Sequence, residues 1–240
     1  MVGYVHSFES LAAVDGEGLR CAVFLSGCPL RCAYCHNPDT WDMGTGKATH
    51  AQDLAAKIIR YKPYFGSDGG VTFSGGEPLL QSEFILAVNE CLKEQSIRYA
   101  IDTSGAVSLS DSVKELLIGA QLVILDLKFW DDESYIKYTG RDMSHTLAML
   151  DYLESIGARV WIRTVVIPEV NDSEDKIKKY TEIIKDKKCV LRYELLPFHT
   201  MGFVKYEKLG IKNEFVHKND LDAEIKERLQ HFAEQCLKKV

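Results

Sequence analysis

"RCAVFLSGCPLRCAYCHN", residues 20–37, sets a strand-like run directly against a cluster of cysteines. Residues 20–25 are short and nearly all apolar, as expected of a parallel strand covered on both faces. Cys28, Cys32 and Cys35 follow within eight residues, with no obvious fourth ligand. Three thiolates do not complete a tetrahedral metal site. Either a distant residue supplies the fourth ligand, or the open position is where chemistry happens.

Runs like residues 20–25 recur along the chain. They are "GVTFS" (70–74), "RYAID" (98–102), "LVILDL" (122–127), "RVWIRTVVI" (159–167) and "VLRYELL" (190–196). Helical spacing fills several gaps. Leu54, Ile58 and Tyr61 share a face in 52–61, and Ile85, Val88 and Leu92 do so in 82–93. Leu147, Leu150 and Leu153 line 145–156, with Ser144 as the expected N-cap and Gly157 just past the end. A last helix, 220–238, carries Leu221, Ile225, Leu229, Phe232 and Cys236 on one side after an Asp220 cap. The lysines of 176–188 alternate with acids on an expected surface helix, and 197–219 shows no period. Strand alternating with helix predicts one α/β domain over 1–240 with a parallel sheet. Six units are too few for a closed eight-stranded barrel, which leaves an open partial barrel or a doubly wound sheet.

Composition narrows the class. The chain has 240 residues, 46% of them hydrophobic, and a formal net charge of −6. No run approaches the roughly 18 apolar residues that span a bilayer, and the N-terminus does not read as a secretory signal. A cytoplasmic protein with no membrane or nucleic-acid partner is expected. In that compartment the seven cysteines stay reduced, so a cluster of them indicates metal or catalysis. Cys21, Cys91, Cys189 and Cys236 stand singly in strand or helix patterns and read as small buried hydrophobes.

Polar residues collect where each strand ends. After the cysteine loop come "SGGEP" (74–78), "DTSG" (102–105), "DLK" (126–128), Arg163 within its strand, and "LPFH" (196–199). Parallel sheets bind ligands at that edge, so these separated motifs are expected to line one site. Gly75 and Gly76 read as a close approach of backbone to a small ligand, with Glu77 as acceptor for an ammonium group, although a plain turn explains them equally. Asp102 and Asp126 read as a pair of oxygen ligands for a cation, or singly as turn and cap residues. Lys128 and His199 have ordinary surface readings, whereas Arg163 in an apolar strand needs a partner for its charge. For the cysteines, structural zinc wants a second pair of ligands, which is missing. Iron–sulfur clusters are held by thiolates, ordinarily four.

"CPLRCAYC" (28–35) resembles the C-x3-C-x2-C motif of radical S-adenosylmethionine (SAM) enzymes, and "SGGEP" is similar to their GGE motif. More narrowly, "HSFES", "DGEGLR", "CHNPDTW", "SGGEPLLQ", "DTSG", "LDLK", "VWIR" and "LPFH", in this order, resemble the pyruvate formate-lyase activating enzymes. The resemblance runs from about His6 to Gly202. It implies a partial (β/α)6 barrel with a curved, mainly parallel sheet. It implies a [4Fe-4S] cluster on Cys28, Cys32 and Cys35 whose open iron is chelated by SAM. Reductive cleavage of SAM then leads to removal of a glycine Cα hydrogen from a glycyl radical enzyme of the pyruvate formate-lyase type. Carried over, Tyr34 and His36 lie beside SAM, Gly75, Gly76 and Glu77 face its amino group, Asp126 and Lys128 its polar end, and His199 its adenosine. Asp102, Thr103, Asp126 and the carbonyl of Ile124 resemble a monovalent-cation site (Na or K), and Asp15 and Arg163 match positions that engage the partner's glycine loop. A flavodoxin-like reductant and a monomeric chain are also expected. One departure concerns the family's D-G-P-G-x-R motif, where this chain has Glu17 in place of proline. The competing readings are a radical SAM enzyme acting on a small molecule and an iron–sulfur electron carrier.

Overall fold

The apolar runs read from the sequence lie side by side. The structure is a computed structural model that describes residues 1–238; the last two residues of the expected 1–240 domain lie outside the described residues. Its strands are β1 (Val2–Ala12), β2 (Arg20–Leu25), β3 (Lys47–His50), β4 (Gly70–Gly75), β5 (Arg98–Thr103), β6 (Leu122–Asp126), β7 (Val160–Val166) and β8 (Val190–Pro197). They form one sheet in the order β3-β1-β2-β4-β5-β6-β7-β8. From β2 through β8 all pairings are parallel. β1 is antiparallel to both β2 and β3. The parallel part is the expected six-stranded partial barrel, left unclosed.

β1 and β3 were not expected. Polar residues such as His6, Ser7, Glu9 and Ser10 interrupt β1, and its burial alternates rather than running continuously. Pairing with β2, not an apolar run, makes it a strand. At the other edge, α8 (Ala223–Leu237) seals β8. The Leu195 N–H donates to Gln230 Oε1 at 2.8 Å, and Gln230 Nε2 donates to the Tyr193 carbonyl at 3.0 Å. A side-chain amide thus takes the place of a further strand.

The other helices are α1 (Ala51–Ile59), α2 (Ser82–Lys93), α3 (Asp111–Gly119), α4 (Asp132–Thr139), α5 (Ser144–Ser155), α6 (Glu174–Ile184) and α7 (Phe203–Leu209). One sheet face, including Val23, Phe73, Ile101, Leu125 and Ile162, packs with helix residues such as Ile58, Ile85 and Leu150 into the main core. Alternate residues point the other way. There Ala100, Leu122, Ile124 and Trp161 make a small separate cluster, and polar side chains occupy the positions above it.

Two caps differ from the sequence reading. Asp222 caps α8, accepting from the Glu224 and Ile225 N–H groups, while Asp220 accepts from the Thr200 N–H at 2.7 Å. At α5, Asp142 accepts from the Ser144 N–H, so Ser144 is the first helical residue rather than the cap. The stretch 197–219 holds α7, a helix too short for its period to show.

Arg20 closes the bottom of the sheet. It is fully buried, donating to the Thr72 hydroxyl at 2.9 Å and to the carbonyls of Glu17, Asp68 and Val71 at 2.9–3.1 Å. Burial lowers its pKa to about 10, which leaves it charged at neutral pH. Arg20→Ala strands these acceptors in the interior. We expect it to cost about 3 kcal/mol, read as a lower midpoint in thermal or urea unfolding of the apoprotein.

Candidate active site

The inner face of the sheet and the loop after β2 enclose a cavity of about 240 Å³. The loop carries Cys28, Cys32 and Cys35, and all three line the cavity. It has almost no regular structure, so its backbone groups need partners elsewhere. The Gly27 and Cys28 N–H groups donate to the Thr40 and Trp41 carbonyls at 2.8 and 3.0 Å. The Arg31 and Ala33 N–H groups donate, both at 2.8 Å, to the Thr139 and Tyr138 carbonyls at the end of α4. A helix C-terminus leaves such carbonyls free. From the other side, α7 holds the loop through Lys205 Nζ, 2.8 Å from Asn37 Oδ1 and 3.0 Å from Asp39 Oδ1.

The turn after β4 is welded to the same loop. The Gly76 and Glu77 N–H groups donate to the Leu25 and Gly27 carbonyls at 2.8 and 2.7 Å. A Cβ on Gly76 would stand 2.2 Å from the Gly27 carbonyl oxygen, and one on Gly75 would stand 2.3 Å from the Leu25 nitrogen. Both glycines line the cavity, but the space they leave is taken by the neighbouring chain. Glu77 departs from its expected role. It is fully buried and does not line the cavity. Its carboxylate accepts from Thr103 Oγ1 (2.6 Å), the Ser104 N–H (2.9 Å), Ser104 Oγ (2.5 Å) and the Leu79 N–H (3.1 Å). It ties the β4 turn to the β5 turn and has no donor left to seek.

The remaining expected residues divide in the same way. Tyr34, His36, Asp15, Asp102, Thr103, Asp126, Lys128 and Arg163 line the cavity. Ile124 does not; its side chain belongs to the small cluster beneath. His199 stacks on His36 with ring centres 3.8 Å apart, and its carbonyl lies 2.9 Å from His36 Nε2. It backs a wall residue, and its buried Nδ1 has no hydrogen-bond partner. Cys21 is buried, its thiol donating to the Ser10 carbonyl, and Cys189 is buried as well; Cys91 and Cys236 are half-buried. Reading the sequence residue by residue missed Phe24, Ser74, Ser104, Val165 and Leu196 on the wall. Phe24 and Ser74 pair across strands, Ser74 donates to Asp102, and Val165 lies two residues from Arg163, so strand alternation was the available signal.

Electrostatically the wall is a set of paired charges. Lys128 Nζ donates to Asp126 Oδ2 at 2.5 Å. Burial works against the Lys128 charge, but Asp126 and the neighbouring groups outweigh it and raise its pKa. Ser74 Oγ donates to Asp102 Oδ2 at 2.6 Å. Burial, with Asp126 adding, pushes the Asp102 carboxyl up to about 7 against the opposing pull of Arg163. Arg163 is anchored by Glu194, 3.0 Å from its Nε, and donates to the Val14 carbonyl. Burial also raises the Asp15 carboxyl, against the pull of Arg163 and Arg20.

The thiols fit a cluster better than a single ion. Among the described residues no three His, Cys, Asp or Glu side chains stand close enough to hold one metal ion. Thiolates that each hold a different iron of a cubane stand farther apart than ligands sharing one ion. Soft sulfur donors also select iron–sulfur clusters over hard cations. Burial raises all three thiols, that of Cys28 to about 12, so metal must displace their protons to bind. Beside them the Tyr34 hydroxyl is buried with no hydrogen-bond partner, a polar atom left for a ligand of the cavity.

Comparison with known proteins agrees with this chemistry. Residues 14–145, more than half of the chain, match the family model of a 4Fe-4S single cluster domain. The chain is 44% identical over 238 residues to the pyruvate formate-lyase-activating enzyme of Clostridium pasteurianum, covering 99% of each. Among solved structures, Streptococcus suis SuiB bound to precursor peptide SuiA superposes with a TM-score of 0.68 at 19% identity, over 89% of this chain and 45% of that one. A radical SAM methyltransferase from Sphaerobacter thermophilus superposes with a TM-score of 0.62 at 17% identity, over 90% and 64%. The two structural likenesses establish the fold, which this chain shares with that methyltransferase.

Gly76→Ala tests the weld. The added methyl meets the Gly27 carbonyl and displaces the cysteine loop. We expect a loss of about 1–3 kcal/mol in thermal unfolding, and less iron bound after anaerobic reconstitution although no ligand has been removed.

Proposed function

The chain belongs to the family of pyruvate formate-lyase-activating enzymes, and from that membership we propose that it is a radical SAM activase whose single domain, 1–240, installs a glycyl radical on pyruvate formate-lyase or a close relative. The observation that carries the reading is the convergence of three thiols with the ends of the parallel strands on one cavity. Cys28, Cys32 and Cys35 would hold the [4Fe-4S] cluster, and SAM would complete it. Bound there, this pair would supply reductive cleavage of the sulfonium, with one electron from the reductant, and hydrogen-atom abstraction from a glycine Cα.

The chain's own residues bind, orient and exclude water. Leu30, Tyr34, Phe24, Val165 and Leu196 give the cavity apolar walls. The Lys128–Asp126 pair sets a polar end, within reach of a carboxylate and an ammonium group. His36, held by its stack on His199, forms the side wall beside the cysteines. The backbone around Gly75 and Gly76 is fixed by its weld to the cysteine loop and forms a rigid part of the cavity wall. Asp102 and Asp126 stand on adjacent strands, with Ile124 paired to Asp102 and Thr103 next to it in the chain, and together they would supply the oxygens for a monovalent cation. Asp15 and Arg163, which line the same cavity, would meet the protein segment that carries the glycine. A flavodoxin-like reductant, a monomeric chain and a cytoplasmic setting complete the reading; the seven free cysteines suit a reducing compartment. Among the described residues no helix is long and apolar enough to cross a membrane.

Anaerobic EPR of the reconstituted, dithionite-reduced protein tests this directly. We expect a reduced [4Fe-4S] signal that changes on adding SAM, and a glycyl doublet on pyruvate formate-lyase after incubation. A cluster signal indifferent to SAM would instead support an electron carrier. SAM cleavage with no doublet on any glycyl radical enzyme would support a small-molecule substrate. Cys28→Ala, Cys32→Ala and Cys35→Ala should each abolish SAM cleavage, whereas Cys91→Ala and Cys236→Ala should retain iron and turnover.

A further inference from the structure

The loop between β1 and β2, residues 13–19, reaches the cavity through Asp15. Its neighbours Leu11 and Val14 are exposed, at 51% and 75%. Glu17 stands between Gly16 (φ +131°) and Gly18 (φ +68°), so the backbone on both sides of it takes conformations that cost glycine little and other residues much. Proline at this position would fix one backbone angle. Glutamate fixes none, and the loop must be held another way.

Backbone tethers hold its front half. Arg163 donates to the Val14 carbonyl, Thr72 Oγ1 to the Asp15 carbonyl at 2.6 Å, and Arg20 to the Glu17 carbonyl at 2.9 Å. The Glu17 side chain adds a further tether. Its two carboxylate oxygens accept from Arg159 Nη1 at 3.1 Å and Nη2 at 2.7 Å, a bidentate pair. Arg159 immediately precedes β7, the strand that carries Arg163 into the cavity. Both partners are partly exposed, at 27% and 50%, so salt reaches the pair.

We propose that the Glu17–Arg159 ion pair is a positioning latch. It registers the Asp15 loop against Arg163 on β7 so that the two residues receive the partner's glycine-bearing segment together, and charge replaces the restriction of a proline. This rests on the activase reading above, because the segment that enters is the partner's.

Two readouts separate the latch from that reading. The first is hydrogen exchange of the amides of 13–19, without partner. The second is steady-state radical formation on a synthetic peptide carrying the glycine segment of pyruvate formate-lyase, using enzyme reconstituted with its cluster and SAM. In Arg159→Gln and Glu17→Gln we expect exchange about fivefold faster and a KM for the peptide about fivefold higher at unchanged kcat, the scale of a half-exposed bidentate pair. The charge swap, Glu17→Arg with Arg159→Glu, should restore both. Salt at about 1 M, where the Debye length is about 3 Å, should bring exchange in the wild type to the level of Arg159→Gln and leave exchange in Arg159→Gln unmoved. Wild-type exchange and KM in both single variants, or a swap that restores neither, would overturn the latch. Wild-type enzyme that forms no radical on the peptide or on pyruvate formate-lyase would overturn the activase reading, and exchange in the variants would still decide the latch.

Discussion

The loop that bears the three thiols has little secondary structure of its own, and satisfying its backbone constrains much of what surrounds it. Its N–H groups use the carbonyls left over at the end of α4, and its carbonyls receive the N–H groups of the β4 turn. Each donor or acceptor in a buried loop that lacked such a partner would cost about 1–3 kcal/mol. The place where α4 stops and the absence of side chains at Gly75 and Gly76 therefore belong to one requirement. These contacts place the thiols on the cavity wall.

The parallel strands were legible because burial on both faces leaves a plain mark. "RCAVFL" and "VLRYELL" are bounded by the sequence to within a residue of where β2 and β8 lie. β1 left no such mark, since it borrows its order from β2 and shows polar residues to solvent. The caps show a different limit. Asp220 and Asp222 are chemically equal candidates two residues apart, and the Thr200 amide, which is distant in sequence, claims the first. A local pattern predicts that a cap exists; a tertiary contact chooses the residue.

In the site, residue types were legible and side-chain directions were not. Cys28, Cys32, Cys35, Tyr34, Asp102, Asp126, Lys128 and Arg163 sit on one cavity, as strand-end placement implied. Glu77 has the right chemistry for ligand contact but spends it on four donors of the protein, whereas His199 stacks on the His36 ring and keeps a buried Nδ1 without a hydrogen-bond partner. The two glycines were read as a close approach of backbone to a small ligand; the groups packed against them are the protein's own backbone, Leu25 at Gly75 and Gly27 at Gly76. Spacing along a chain does not say which neighbour fills the gap a glycine leaves.

The charges on the wall say what kind of occupant the cavity favours. Asp15, Asp102 and Asp126 face Lys128 and Arg163, three carboxyl groups against two cations. The excess is sharpened by burial, since Asp102 and Asp126 repel one another where water is scarce, and this repulsion adds to burial in holding the Asp102 carboxyl near 7. A neutral occupant would leave that repulsion in place. A positively charged one, a sulfonium or an alkali cation, would relieve it while the Lys128–Asp126 pair remained available for an amino-acid end. The thiols point the same way, because three thiolates would outweigh the positive charge of an iron–sulfur core and leave the site net negative. A cluster bound there makes a cationic partner more favourable still, which couples the two ligands through the field they share rather than through any movement of the chain.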